Sequence, residues 1–380
     1  MKREAVFNHC RVVTPDEVFR GTVQVIDGTI WAVDPGSCTT PSALDLEGDY
    51  LLPGLIELHT DNLEKHLIPR PGVRWPEVAA TVSHDAAIAA AGITTVFDAL
   101  ALGDIKEDSD RIREVYAMAG SIKLAKGQGL LRADHFLHLR CEICYPTVLE
   151  LFASFADEPL VRLVSLMDHT PGQRQFVRME KFFQYYQGKY SLNDSEMRQL
   201  IQRRQENQKR FSEGHRGELL RMFHQRGLSI ASHDDTTVEH VQEAASSGIV
   251  LCEFPTTKEA AETARQLGLV ILMGAPNMVL GQSQSGNISA RELAKEDLLD
   301  VLSSDYVPMS LLHGAFHLHQ ELEWPLPKAV RVVSANPARV ANLSNRGTIE
   351  VGKRADLIRV KSYDHLPLVK GIWRHGELIC

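Results

Sequence analysis

A histidine and an aspartate stand two positions apart at the end of a long apolar run. The run extends from Leu51 to Leu58, broken by Pro53-Gly54, and His59 and Asp61 follow it. We interpret the run as one buried strand, in which alternate side chains share a face, so that His59 and Asp61 can bind one ion. Neutral imidazole and carboxylate suit a divalent cation such as zinc, manganese or iron. The pair alone is weak evidence, because such pairs also form ordinary surface hydrogen bonds.

The same pattern recurs along the chain. Further apolar segments also end in ionisable residues, namely Asp98; His138, Arg140 and Glu142; Asp168 and His169; His233, Asp234 and Asp235; Glu253; and Asp305. Burying so many charges without partners is costly, and one or two shared metal ions would satisfy them. We expect the metal ligands to be His59, Asp61, Glu142, His169 and His233. Asp305 is the expected catalytic residue, which orients the attacking water and takes its proton.

Some of these residues have simpler interpretations. Asp98 fits a cap of the following helix as well as it fits a site residue. One of Asp234 and Asp235 is expected only to cap the helix that begins near Thr237. His138 is expected to be a packing residue rather than a ligand.

Eight apolar segments, alternating with helical patterns, would position these side chains. They begin near Leu51, Ile93, His135, Val161, Leu228, Ile249, Leu269 and Val301. Alternation of this kind is typical of βα units, and eight such units predict an α/β fold, a (β/α)8 TIM-like barrel whose strands all end on one catalytic face. We place the barrel at residues 53–340.

Both chain ends have a different character. They contain short β-rich segments separated by glycine turns, and Asp27-Gly28 between two such segments predicts a hairpin. The termini are therefore expected to form one small β-sandwich domain, from residues 1–52 and 341–380. A helical insertion at about 172–226 interrupts the barrel pattern, and it fits either a lid or an outward-facing helical hairpin.

Composition narrows the class of protein. The 380 residues are 44% hydrophobic and 24% charged, and no apolar run approaches the roughly 20 residues that cross a bilayer. The N-terminus lacks the pattern of a secretory signal, so we expect a cytoplasmic protein that does not bind a membrane. A net charge of −8 without a long basic run argues against nucleic-acid binding. Oligomeric state is open, including a homo-oligomer.

The motifs also resemble a known family. Ser334-Ala335-Asn336-Pro337-Ala338 and the closing Gly347-to-Leu357 segment, with the strand-end histidines, resemble the amidohydrolase superfamily. A more specific resemblance is to its PhnM type, from the carbon–phosphorus lyase pathway. It is carried by the blocks LLPGLIELHTDNLEKH, SHDA, AGITTVFDA, HLRCE, LVSLMDHTPGQRQF, YYQGKYSL, ASHDDTT, EFPTT, LMGAPN, SGN and LSSDY.

This resemblance implies a metal-dependent hydrolase. The implied reaction converts α-D-ribose 1-methylphosphonate 5-triphosphate, a phosphorylated sugar, to the 5-phosphate and pyrophosphate in phosphonate catabolism. Three departures accompany it. Asp61 replaces the second histidine of the common superfamily motif, the fourth strand carries no bridging lysine, so that Glu142 is our candidate bridge, and Gln284 stands where a histidine is expected.

Phosphate oxygens require positive partners, which guanidinium groups bind bidentately. The candidates near the same loops are Lys65, Arg70, Arg74, Arg140, Arg174 and Lys189. Arg140 is favoured because it shares a strand face with Glu142. Two alternatives remain open, namely hydrolysis of a cyclic amide or N-acyl C–N bond, and a catalytically silent scaffold of a phosphonate-degrading complex.

Overall fold

A computed structural model describes residues 3–104, 111–172, 174, 187, 192–283 and 286–380. The chain termini build a mostly antiparallel sheet in the order β16-β15-β14-β5-β1-β2-β3, with β4 beside β1. Its strands are β1 (Glu4–Val13), β2 (Val18–Ile26), β3 (Thr29–Pro35), β4 (Leu44–Asp45), β5 (Tyr50–Pro53), β14 (Leu357–Tyr363), β15 (Leu366–Arg374) and β16 (Glu377–Leu378). Asp27 and Gly28 join β2 to β3 with φ angles of 49° and 77°, which is the hairpin turn predicted from their sequence.

A second sheet contains eight parallel strands in sequence order, and a bridge between Thr60 and Asp305 links its first strand to its last. The strands are β6 (Leu55–Thr60), β7 (Ile93–Leu102), β8 (Asp134–Glu142), β9 (Val161–Met167), β10 (Ser229–His233), β11 (Leu251–Glu253), β12 (Val270–Gly274) and β13 (Val301–Ser303). Strands buried on both faces require near-continuous apolar runs, which is why the sequence revealed them. The predicted α/β barrel with a small β domain from both termini is confirmed.

The first apolar run is two strands, not one as predicted. Its beginning lies in β5 and pairs with β14 of the small sheet, whereas Leu55 begins barrel strand β6. Gly54 makes the transition, and a Cβ at this position would lie 2.3 Å from the Thr94 hydroxyl oxygen. Only glycine therefore fits where the chain passes from one sheet to the other.

Twelve helices are present in the described ranges. They are α1 (Asn62–Leu67), α2 (Glu77–Ala90), α3 (Arg111–Gly127), α4 (Val148–Ala153), α5 (Asp194–Gln225), α6 (Val238–Ser246), α7 (Lys258–Gln266), α8 (Ala275–Leu280), α9 (Ala290–Lys295), α10 (Ser310–Gln320), α11 (Leu326–Arg331) and α12 (Ala335–Val340). None of them combines the length and the hydropathy that crossing a bilayer would need.

Helix α5 is the described part of the predicted insertion. Asn193 and Glu196 form a capping box that starts it, and its Phe223 packs edge-on against Phe152 of α4 with ring centroids 4.8 Å apart. Met197 and Leu219 on the same helix are also buried. The described part of the insertion is therefore one long helix packed against α4. Most of residues 173–191 lie outside the described ranges.

Asp98 neither caps a helix nor reaches the end of its strand, because β7 continues to Leu102. Its carboxylate accepts hydrogen bonds from His84 and His135, each at 2.7 Å, and His135 also donates to Asp85 at 3.3 Å. All four side chains are fully buried between α2 and strands β7 and β8. Burial alone would lower the pKa of His135, but Asp98 and Asp85 raise it to about 9. The group is therefore a buried ion-pair network outside the barrel interior.

We predict that Asp98→Asn lowers the free energy of unfolding by about 3–5 kcal/mol, because it removes the nearer of the two carboxylates that balance the buried His135 charge. The pKa of folded His135 lies above the unfolded value of about 6.5. The stabilisation of the folded state by protonated His135 is therefore fully present below about pH 6.5, and it is lost as the pH rises through about 9. Urea unfolding at pH 6 and pH 9.5 should show a smaller difference between wild type and variant at the higher pH. The exposed substitution Asp157→Asn is the control, and a difference independent of pH would contradict the assignment.

Candidate active site

A cavity of about 490 Å³ opens at the C-terminal ends of the barrel strands. Every predicted metal ligand lines it, and so do the predicted catalytic residue and one predicted phosphate-binding residue. These are His59, Asp61, Glu142, His169, His233, Asp305 and Arg140. The barrel thus brings these residues from five strand ends to one chamber.

Glu253 holds two of the cavity's imidazoles. Its oxygens accept from His59 Nδ1 at 2.7 Å and from His233 Nδ1 at 2.8 Å, and the carboxylate is fully buried. Because Nδ1 carries the proton that each imidazole donates to Glu253, Nε2 keeps a lone pair that can bind a metal ion. Burial lowers the pKa of His233, which keeps that ring neutral as a metal ligand must be. The sequence placed Glu253 among the ionisable residues at strand ends but did not reveal that it orients two histidines.

Glu142 holds the third imidazole. One carboxylate oxygen lies 2.7 Å from His169 Nδ1, and the other accepts from Arg204 of helix α5 at 2.5 Å. Burial would raise the pKa of Glu142, but Arg204 and His169 lower it to about 2. In this arrangement Glu142 orients His169, and both of its oxygens are already engaged. Arg204 was not identified from the sequence, because it comes from mid-helix in the insertion.

Asp234 joins His169 and His233 in a group of side chains that could hold a metal ion. Its Oδ2 lies 3.3 Å from His233 Nε2 and 3.9 Å from His169 Nε2. That oxygen is buried without a hydrogen-bond partner among the described residues, and Asp234 has a strained φ of 55°. The prediction that Asp234 or Asp235 caps the next helix is wrong. Thr237 accepts the capping hydrogen bond from the His240 amide.

Asp305 faces Asp61 at the seam where β13 meets β6. The Asp61 amide donates to the Asp305 carbonyl at 3.1 Å, and the Asp305 amide donates to the His59 carbonyl at 3.1 Å. Burial, followed by the neighbouring Asp61 charge, raises the pKa of Asp305 to about 6. A carboxyl group with this pKa can accept a proton near neutral pH, which is what a general base requires.

Glu57 supports this seam from below. Its carboxylate accepts from the backbone amides of His59, two positions before Asp61, and of Ser304, directly before Asp305. The side chain is fully buried, and burial raises its pKa to about 7. The sequence indicated this role only by placing an acidic residue, Glu57, within the apolar run that leads to His59.

Further buried side chains lie next to the site residues. His138 is buried, and its nitrogens contact the Leu58 carbonyl at 3.0 Å and the Ser165 hydroxyl at 3.1 Å. Burial lowers its pKa to about 3, so the ring is neutral. That His138 packs rather than binds an ion stays a prediction, because its ligand atom lies within 4.8 Å of those of His59 and Glu253. Cys144 donates its thiol to Asp168 at 3.2 Å.

The predicted phosphate-binding residues are widely separated. Of the five candidates within the described residues, only Arg140 lines the cavity, with Nη2 3.3 Å from His233 Nε2. Lys65 is exposed at the rim and donates to the Tyr306 carbonyl, and Arg70 is exposed. Arg74 is exposed and pairs with Glu77.

Arg174 is buried in an ion pair with Asp235 and also donates to the His233 carbonyl. It supports the strand end and does not line the cavity. Lys189 and Gln284 lie outside the described residues. Arg111, which was not among the predicted residues, lines the cavity and pairs with Glu64.

Comparison with known proteins agrees with this geometry. The model of the amidohydrolase family matches residues 50–380. The chain belongs to the amidohydrolase family. It is also 46% identical, over 98% of its length and 100% of the relative, to alpha-D-ribose 1-methylphosphonate 5-triphosphate diphosphatase of Escherichia coli (strain K12).

Solved amidohydrolase-like structures share the fold. N-acetyl-D-glucosamine-6-phosphate deacetylase from Mycobacterium smegmatis superposes with a TM-score of 0.64 at 15% identity, covering 99% of this chain and 100% of that one. Dihydropyrimidinase from Brevibacillus agri NCHU1002 gives 0.59 at 13% identity, covering 99% and 95%. At these identities the likeness concerns the fold alone.

Members of this amidohydrolase superfamily bind divalent metal ions, and the residues present here fit one. Asp61 Oδ1 and Asp234 Oδ2 are buried without hydrogen-bond partners in the described ranges. Ligand atoms of His169, His233 and Asp234 lie within 4.8 Å of one another. Unpaired buried carboxylate oxygens beside neutral imidazoles are costly by themselves and favourable around a cation.

We predict that Glu253→Gln weakens zinc binding about 10- to 100-fold, because an amide cannot accept from both imidazoles and one ring must reorient. Competition with a chromophoric chelator would measure the affinity. The surface substitution Glu150→Gln serves as the matched control. Equal zinc affinity in wild type and Glu253→Gln would show that Glu253 does not orient the ligands.

Proposed function

We propose that this amidohydrolase hydrolyses α-D-ribose 1-methylphosphonate 5-triphosphate to the 5-phosphate and pyrophosphate, as a step of phosphonate catabolism. The main support is 46% identity over nearly the whole chain with the Escherichia coli diphosphatase. The cavity adds chemical support, because it combines metal ligands, a carboxyl group suited to proton transfer and an arginine that faces the open space.

The predicted ligands His59, Asp61, His169 and His233, together with Asp234, would hold one or two divalent ions. Glu142, the remaining predicted ligand, would orient His169, because its oxygens contact His169 and Arg204. Bound there, the metal would lower the pKa of water toward about 7 and neutralise phosphate charge. Asp305 orients the attacking water and takes its proton. The water oxygen bonds to the α-phosphorus, the bond from that phosphorus to the bridging oxygen breaks, and pyrophosphate leaves. Arg140 stabilises the negative charge that develops on the phosphoryl oxygens.

The charge of the cavity explains why a cation is needed for such a substrate. Within the described ranges, six carboxylates and two guanidinium groups line it. The carboxylates are on Asp61, Glu64, Asp104, Glu142, Asp234 and Asp305, and the guanidinium groups on Arg111 and Arg140. A triphosphate would be repelled by this surface unless metal charge compensates it.

We further propose zinc as the ion, with manganese or iron as alternatives. We also propose that the protein is cytoplasmic.

The deciding experiment measures pyrophosphate release by the zinc-replete protein from α-D-ribose 1-methylphosphonate 5-triphosphate. A panel of cyclic and N-acyl amides is assayed beside it. We expect turnover of the triphosphate and none of the amides. Hydrolysis of an amide with no pyrophosphate release would favour C–N chemistry, and inactivity toward both would favour a scaffold.

We predict that Asp305→Asn lowers kcat for pyrophosphate release about 10²- to 10⁴-fold, because the attacking water loses its proton acceptor. In wild type, the rate should rise as the pH increases through about 6, where the Asp305 carboxyl loses its proton. Rates are compared at equal metal content, determined by elemental analysis, with Asp157→Asn as the surface control. Near wild-type kcat in metal-replete Asp305→Asn would exclude this role.

A further inference from the structure

Charged and uncharged residues line different sides of the cavity. Among the described residues, every acidic, basic or histidine side chain that lines it comes from β6 to β10 and the segments after them, or from the end of β13. Segment 254–288, which follows β11 and includes β12 and α8, contributes eleven described lining residues, and none of them is charged. We call these eleven residues the uncharged wall. In the barrel β12 lies four places from β8, so the wall stands opposite Arg140.

Hydrogen bonds join the parts of the uncharged wall. The Ile288 amide donates to the Thr256 carbonyl at 3.1 Å, after β11, and the Ala290 amide donates to Asn277 Oδ1 on α8 at 2.9 Å. The side chains of Asn277 and Asn287 both reach the cavity. A carboxamide both donates and accepts, which suits the hydroxyl groups of a ligand, because these groups also do both.

Phe254 shares an uncommon backbone conformation with two other site residues. Asp234, Phe254 and Asp305 follow the ends of β10, β11 and β13 with φ angles of 55°, 56° and 53°. Their amides donate to carbonyls of the neighbouring strands at 2.9, 2.9 and 3.1 Å. Such a φ is an outlier for a bulky side chain, and outliers of this kind cluster at functional sites. Since the other two residues are a candidate metal ligand and the candidate base, the third position also belongs to the site.

The Phe254 ring lies beside the two imidazoles that Glu253 holds. Its centroid is 5.1 Å from that of His59 and 5.5 Å from that of His233, with both contacts edge-on. The ring is half-buried and lines the cavity. It therefore presents an apolar surface next to the candidate metal ligands.

Resting on the proposed diphosphatase function, we propose that the uncharged wall binds the ribose of the substrate. Phe254 contacts the sugar ring, and Asn287 bonds its hydroxyl groups. The ribose and the pyrophosphate are attached to the same α-phosphorus through different oxygens, so they extend from it in different directions. The triphosphate lies along the charged side, where metal and arginine charge are available, and the ribose lies against β11 and β12. Apolar contact with a few polar groups for orientation is how such pockets select a ligand.

The test compares the binding of two ligands to the zinc-loaded full chain by isothermal titration calorimetry. One is a ribose 5-triphosphate analogue with a methylene group in place of the scissile bridging oxygen, and the other is inorganic triphosphate, which lacks the ribose. Phe254→Leu and Asn287→Ala should each bind the ribose analogue about 3- to 10-fold more weakly, because they remove an aromatic face and a hydrogen bond. Their affinity for inorganic triphosphate should equal that of wild type. Glu150→Gln is the surface control, and all proteins are compared at equal zinc content.

A loss confined to the ribose analogue in either variant supports the proposal, so poor folding of one variant does not decide the result. Equal losses for the two ligands, or no loss in either variant, would overturn it. Equal losses would also show that Phe254 acts only through the imidazoles beside it. Wild type that binds neither triphosphate would contradict the diphosphatase function itself, so the two failures are distinguishable.

Discussion

The fully buried Glu253 carboxylate lies between two imidazoles that come from opposite parts of the barrel. His59 is on β6 and His233 on β10, and Glu253 on β11 accepts from both. Burial would raise its pKa, but the histidines hold the pKa well below its ordinary value, so it remains charged inside the barrel. A buried anion is tolerated only when every lone pair is used. Because each partner needs the others in place, the three strand ends are fixed together, and the geometry of the cavity follows.

Much of the fold was predictable because its physical causes are local. Barrel strands are buried on both faces and so appear as apolar runs, and side chains two positions apart share a face. These two rules located His59, Asp61, His233 and Asp305 at the cavity from sequence alone. The resemblance to amidohydrolases agreed with the same residues, and the family match supports it.

The remaining features depend on strand length and on distant partners, which local patterns do not reveal. Asp98 was read as the end of a strand, yet β7 continues to Leu102 and turns Asp98 toward α2. Glu253 and His59 are 194 positions apart, so their pairing is a product of the closed barrel. Lys65 and Arg74 carry the right charge but lie on the exposed surface. A positive residue in the sequence does not show whether its side chain points into the cavity.

Helix α5 contributes one side chain whose effect extends beyond packing. Arg204, only 1% exposed, crosses from that helix to the Glu142 carboxylate, which in turn contacts His169. The insertion therefore cannot be deleted without removing a side chain that contacts the active site. A shortened chain would bury Glu142 beside His169 with no cation to balance it. Removal of this helix is therefore expected to disturb the His169 imidazole in the cavity as well as the packing against α4.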